Sequence, residues 1–163
     1  MKSNKAVFAS GCFWGTQHYL DKAEGVINTI VGYTGGNTKN PTYEQVSSGK
    51  TGHVEAVEVK YDPGVTSYEK LAKLFFETHD PTQKNGQGPD IGTQYRSVIY
   101  YKDDTEKQTA EALIKTLKDK GLDVATRVEK ISTFYPAEQY HQHYYDKTGG
   151  SPYCHIYRKL FNN

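Results

Sequence analysis

Residues 53–61, His-Val-Glu-Ala-Val-Glu-Val-Lys-Tyr, alternate in character with period two, and that pattern suits an extended strand rather than a helix. Val57, Val59 and Tyr61 share one face, while Glu58 and Lys60 share the other. Glu55 falls in phase with the valines, so the alternation carries a carboxylate toward the core side. Desolvation there would raise its pKa and hold it protonated near neutral pH, the state a general acid needs. A Glu55 at the strand's end that still reaches water is the plainer reading of the same pattern.

The rest of the chain supplies elements for such a strand to pair and pack with. An apolar run over 5–10 predicts a strand, and 16–22 predicts a helix. Residues 25–33 form a second β-rich run ending in the turn cluster Thr34-Gly35-Gly36-Asn37-Thr38. Pro41 opens a helix of one or two turns over 41–46. Thr66-Ser67-Tyr68-Glu69 offers a capping box, followed by a core stripe of Leu71, Leu74, Phe75 and Thr78. A loop rich in Gly and Pro runs over 80–94 into a strand at 98–101, and a loop of that length is often functional. A long amphipathic helix over 104–120 stops at Gly121, and a last strand follows near 125–132. Pro136 is expected to open a helix over 137–147. The order β-α-β-(short helix)-β-α-β-α-β-α predicts an α/β two-layer sandwich around a mixed sheet, as one domain over residues 1–163.

Composition narrows the partners. The formal net charge is +1 and no basic run appears, so nucleic acid is not expected to bind. No apolar run approaches the ~20 residues of a membrane helix, and the first ten residues lack a long apolar stretch, so no membrane association and a cytoplasmic location are expected. The two cysteines, Cys12 and Cys154, suit a reducing compartment in which any bond between them is transient. The 14 tyrosines need partners for their hydroxyls wherever they are buried, so some should converge on a polar site.

Cys12 lies between two glycines in Gly11-Cys12-Phe13-Trp14-Gly15, at a strand-to-helix turn. Backbone N–H groups and the positive helix end converge there, which favours thiolate and can lower a cysteine pKa by one to several units from roughly 8.5. Phe13 and Trp14 would place an apolar wall beside the sulfur. The pentapeptide alone reads equally as a reactive thiol or as a buried structural cysteine. Taken singly, Tyr43 is a packing aromatic in a connection, Tyr95 a strand aromatic and Asp90 a turn residue.

Three chemistries compete for these residues. A cysteine hydrolase would need a histidine base, but none of His18, His53, His79, His141, His143 or His155 has a local motif tying it to Cys12. A metal site drawing on Cys12, Cys154, His141 and His143 is disfavoured, since residues two apart on a helix point about 200° apart and no CxxC or HExxH occurs. In a thiol redox enzyme, a thiolate attacks an electrophile, a carboxylic acid protonates a leaving oxygen, and a remote cysteine resolves the oxidised sulfur. Cys12, Glu55, the tyrosines and Cys154 all have work in that scheme, and the Phe13–Trp14 wall suits a methyl group.

The ordered set Gly-Cys-Phe-Trp-Gly, Tyr33-Thr34-Gly35-Gly36, Asn40-Pro41-Thr42-Tyr43, Gly52-His53-Val54-Glu55-Ala56-Val57, Tyr61-Asp62-Pro63, His79-Asp80-Pro81, Gly92-Thr93-Gln94-Tyr95-Arg96-Ser97 and Tyr140-His141-Gln142 resembles class A peptide methionine sulfoxide reductase across nearly the whole chain. The resemblance implies reduction of the S epimer of methionine sulfoxide, free or in proteins, on a sandwich with a ferredoxin-like core and long covering loops. Cys12 would be the nucleophile and Glu55 the acid, with Tyr43 and Tyr95 binding the sulfoxide oxygen. Phe13 and Trp14 would enclose the methyl group, and Asp90 and His141 would line the polar side of the pocket. Cys154 would form a disulfide with Cys12 for thioredoxin to reduce. No cofactor or metal is implied, and a monomer is expected. The chain lacks the second tail cysteine of many relatives, and Ser151-Pro152 and His155 flank Cys154 where relatives commonly have glycine-rich sequence. Direct attack of an external thiol on the sulfenic acid is the alternative route.

Overall fold

The computed structural model describes residues 3–150, 152 and 155–161, so Cys154 lies outside the described residues. The chain runs β1 (Asn4–Ser10), α1 (Phe13–Asp21), β2 (Val26–Thr34), α2 (Tyr43–Ser47), β3 (Val54–Tyr61), α3 (Tyr68–Glu77), β4 (Gly86–Gln87), β5 (Asp90–Ile91), β6 (Ser97–Tyr101), α4 (Asp104–Asp119), β7 (Arg127–Lys130), β8 (Phe134–Pro136) and α5 (Tyr144–Thr148). Two 3-10 turns, Thr93–Tyr95 and Gln139–His141, complete the order.

One mixed sheet has the strand order β7-β6-β1-β3-β2-β8, and β4 and β5 pair separately. Each neighbouring pair in the run β6-β1-β3-β2 is antiparallel, β8 adds antiparallel to β2, and β7 adds parallel to β6. The order β1-α1-β2-β3-α3-β6 on strands arranged β6-β1-β3-β2 is the ferredoxin-like β-α-β-β-α-β unit. The longer connections, 35–53 with α2 and 78–96 with β4 and β5, lie outside this unit.

Alternation along the strands builds two apolar layers. Ala6, Phe8, Val57, Val59 and Ile99 join the larger cluster with Leu20, Leu71, Phe75, Leu113 and Leu117 of the helices. Val7, Ala9, Val54, Ala56, Val98 and Tyr100 form the smaller cluster on the opposite face. Both faces of β3 are therefore buried over its first half, and only Lys60 is fully exposed. Glu55 is in phase with the helix-side residues and 1% exposed, so it does not reach water at the strand's end.

Three local expectations need correction. Helix α1 begins at Phe13, directly after Cys12, not at Thr16. Helix α3 is capped by Ser67, whose hydroxyl accepts from the Lys70 N–H at 3.2 Å, one residue beyond Thr66. The helix expected over 137–147 is broken: Pro136 ends β8, and His143 takes a left-handed conformation (φ 53°) before α5. Tertiary partners replace the helical bonds there. The Gln142 amide accepts from Val31 N–H at 3.0 Å and donates to the carbonyls of Val31 and Ala137, and His143 N–H donates to Gln17. The three-residue strand β8 is visible only through its pairing with β2.

Gln142 thus fastens the His141 turn to β2. Gln142→Ala is expected to cost about 1–3 kcal/mol, since the buried Val31 N–H loses this partner while the Val31 carbonyl keeps the Ala137 N–H at 2.9 Å. Urea denaturation would read this as a lowered midpoint.

Candidate active site

Cys12 is the N-cap of α1, with its carbonyl accepting from Gly15 N–H, Thr16 N–H and the Thr16 hydroxyl. Its preceding residue, Gly11, has φ +95°, and a Cβ there would sit 2.4 Å from that of Gln87. Only glycine fits the turn, because the Gln87 side chain is itself tied to the Asp80 backbone at 2.7 and 2.9 Å. The long loop is therefore folded back over the cysteine turn. Cys12 is 6% exposed, and it sits at the positive end of the helix, which favours an anion.

Phe13 N–H donates to Glu55 Oε1 at 3.2 Å. Glu55 Oε2 is buried and has no hydrogen-bond partner among the described residues. Burial pushes this carboxyl well above the ordinary range; a Cys12 thiolate and Asp90 push the same way, and the Phe13 bond opposes them. Because Oε1 is occupied as an acceptor, the carboxyl proton belongs on Oε2.

Tyr43, the first residue of α2, and Tyr95, at the end of a 3-10 turn, meet each other, and Ser47 also bonds Tyr43. Both phenols are raised in pKa, first by burial and next by Glu55, so both remain donors at neutral pH. Cys12 acts on both electrostatically, and Asp90 acts on Tyr95. The carboxyl, thiol and two phenols thus share one half-buried space.

An aromatic wall flanks that space. Trp14 stacks on Tyr144 at 3.7 Å with the planes 7° apart, and its indole N–H donates to His141 Nδ1 at 3.0 Å. His141 is buried, its pKa is lowered by that burial, and its Nε2 has no hydrogen-bond partner among the described residues. Its ring lies against those of Tyr43, Phe13 and Tyr140. Phe13 is wholly buried and packs against Tyr33 and Tyr43, so it backs the wall while half-buried Trp14 fronts it.

The chain matches the family model for peptide methionine sulfoxide reductase over residues 4–163. This chain belongs to that family. The reductase is 51% identical over 150 residues to a peptide methionine sulfoxide reductase MsrA of Nautilia profundicola, covering 92% of this chain and 87% of the relative. It is 46% identical over 155 residues to one from Natronomonas pharaonis, covering 93% and 87%. Among solved structures, reduced Mxr1 from Saccharomyces cerevisiae superposes with a TM-score of 0.89 at 36% identity, covering 96% of this chain and 93% of that one. Mxr1 in complex with Trx2 superposes with a TM-score of 0.66 at 28% identity, covering 96% and 91%. The reaction is the reduction of methionine sulfoxide to methionine.

Of the residues singled out from sequence, the reductase brings Cys12, Glu55, Tyr43 and Tyr95 within electrostatic reach of one another, and Asp90 within reach of Glu55 and Tyr95. Phe13, Trp14 and His141 form the wall beside them. Cys154 lies outside the described residues. His143 faces away from His141 because the chain reverses between them: its Nδ1 meets Asp21 at 2.8 Å, while His141 meets Trp14. That divergence comes from the left-handed turn, not from helical spacing.

Two supports escape sequence reasoning. Glu138 accepts the Tyr33 hydroxyl at 2.9 Å on one oxygen and Tyr43 N–H at 3.0 Å on the other, which holds α2 against the site. Tyr144 fixes the plane of Trp14. Neither has a local motif, since each acts across more than 90 residues of chain.

The raised Glu55 pKa has a consequence for stability. The unfolded carboxyl ionises near 4.5 and the folded one well above it, so stability falls as pH rises from the lower value through the higher. Glu55→Gln is expected to gain stability relative to the parent between pH 4 and pH 8. A pH-independent difference in denaturation midpoints would contradict a buried, protonated Glu55.

Proposed function

We propose that Cys12 reduces methionine-(S)-sulfoxide, free or in proteins, through a sulfenic acid. The observation that carries this reading is the Glu55 carboxyl, capping α1 beside Cys12 through one oxygen and leaving the other without a hydrogen-bond partner among the described residues. In the forward step the Cys12 thiolate attacks the sulfoxide sulfur while Glu55 Oε2–H protonates the sulfoxide oxygen. The hydroxyl is transferred to Cys12 as S–OH, and methionine leaves as the thioether. The cysteine sulfur loses two electrons and the sulfoxide sulfur gains them, so the step needs no cofactor.

Tyr43 and Tyr95 donate to the sulfoxide oxygen as its negative charge grows, in a site where little water competes. Trp14, locked by Tyr144 and His141, offers its face to the substrate methyl, with Phe13 behind. Asp90 and His141 remain for the polar part of the substrate. The His141 Nε2, without a hydrogen-bond partner among the described residues, supports that role, since its Nδ1 is occupied as an acceptor and the ring is neutral.

Cys154 resolves the sulfenic acid. Its thiol attacks the Cys12 sulfur, the S–O bond breaks, and water leaves with the thiol proton as the disulfide forms. Thioredoxin then reduces the Cys12–Cys154 bond; the Mxr1 complex with Trx2 supports this partner class. The described residues contain no helix long and apolar enough to cross a membrane. One domain over 1–163 in the reducing cytoplasm is consistent with a disulfide that forms only within the cycle.

Cys12→Ser is expected to abolish methionine formation from methionine sulfoxide and dithiothreitol while the protein remains folded. Measurable turnover by that variant would sink the mechanism. Glu55→Gln should lower kcat/KM by about 100-fold or more, since the amide cannot supply the proton. It should also remove the fall in kcat/KM that the parent shows as pH rises through the raised Glu55 value, and a Glu55→Gln profile that keeps this fall would rule out Glu55 as the acid.

A further inference from the structure

Residues 155–161 are pinned at both ends and exposed from 156 to 159. At the first pin, His155 is 1% exposed and its Nε2 lies 2.7 Å from the Ser10 carbonyl. A carbonyl only accepts, so the ring donates from Nε2. Burial holds it neutral, with its pKa pushed down to about 4. The hydroxyls of Ser10 and Thr16 each lie 3.4 Å from the same nitrogen, and the Tyr19 hydroxyl donates to the His155 carbonyl at 3.2 Å. The imidazole fills the space over Gly15, where a Cβ would come within 2.3 Å of Nδ1. Ser10, Gly15 and Thr16 belong to the turn that holds Cys12.

At the second pin, Glu77 at the end of α3 holds three backbone N–H groups of the segment. Its carbonyl accepts from Arg158 at 2.7 Å, and its Oε2 accepts from Leu160 at 2.9 Å and Phe161 at 3.2 Å. Phe161 is buried against Phe76, and the Lys120 ammonium donates to the Leu160 carbonyl. The reaction at Cys12 uses none of these contacts.

We propose that His155 and Glu77 are positioning residues that tether the tail to the cysteine turn and so speed formation of the Cys12–Cys154 disulfide. The proposal rests on Cys154 being the resolving thiol. One peptide bond joins His155 to Cys154, so whatever seats the imidazole limits how far that thiol can wander. A disulfide forms only when the two Cα atoms come within about 4.4–6.8 Å, and an untethered tail meets that condition for a smaller share of its time. Tethering acts as a rise in effective concentration, with no new contact to the substrate. The neutral imidazole adds no charge beside the cysteine turn.

The test is single-turnover reaction with methionine sulfoxide and no thioredoxin. It follows methionine release, loss of thiols, and trapping of the Cys12 sulfenic acid by dimedone. His155→Ala and Glu77→Ala should each release one equivalent of methionine within about twofold of the parent rate, yet form the disulfide about tenfold more slowly and trap more sulfenic acid. His155→Gln, which keeps a donor for the Ser10 carbonyl, should recover part of the lost rate. The ratio of disulfide formation to methionine release is read within the folded fraction, so lowered stability does not imitate the effect. Glu77 is remote from Cys12 and decides the matter if His155→Ala fails to fold. Cys154→Ser separates the two claims: resolution at the parent rate in that variant would overturn the resolving role itself. Resolution blocked in Cys154→Ser but unchanged in Glu77→Ala would overturn the tether alone.

Discussion

The hydrogen bond from Phe13 N–H to Glu55 Oε1 ties the start of α1 to the middle of the sheet, and the site depends on it. It fixes the helix end that holds Cys12, so the sulfur and the carboxyl cannot drift apart. It also distinguishes the two carboxyl oxygens, one a cap acceptor and the other buried without a hydrogen-bond partner among the described residues. The same bond opposes the burial that raises the Glu55 pKa. A sulfur at the positive end of a helix and a neutral acid beside it are mutually supporting, because each would be disfavoured next to a second anion.

The covering segments converge on this pair from distant parts of the chain. Gln87 folds the long loop over Gly11, Glu138 holds Tyr43 in place, and Gln142 binds the His141 turn to β2. All three are polar side chains that satisfy backbone groups of another segment, which is how irregular chain can be buried. The aromatic residues then close on one another: Trp14 is held between a Tyr144 face and a His141 nitrogen, and Phe13 backs them from the core.

Much of this was legible in the order of residues. The apolar run of β1, the alternation of β3 and the stripes of α3 and α4 are local patterns, so the mixed sheet and its helix layer could be read directly. The phase of Glu55 against Val57 and Val59 pointed to the core side but left open a strand end that reaches water, and the structure buries it. The 137–147 stretch misled because a Pro followed by mixed polar and aromatic residues resembles a helix start. Gln142 and His143 spend their hydrogen bonds on Val31 and Gln17 instead, and no window along the sequence contains those partners. The three-residue β8 is equally silent, since so short a strand exists only through its neighbour.

By itself, the sequence determined most of the strands and helices, the family motifs and the candidate reactive groups, because these depend on residue type and short-range spacing. Tertiary structure alone decided that Glu55 meets α1 rather than solvent, that Trp14 and not Phe13 fronts the aromatic wall, and that Glu138 orients Tyr43. It alone showed the residues after Cys154 seated over Gly15 and on Glu77. The physical reason is common to all of these: hydrogen bonding and burial are settled between segments tens of residues apart, where spacing along the chain carries no information.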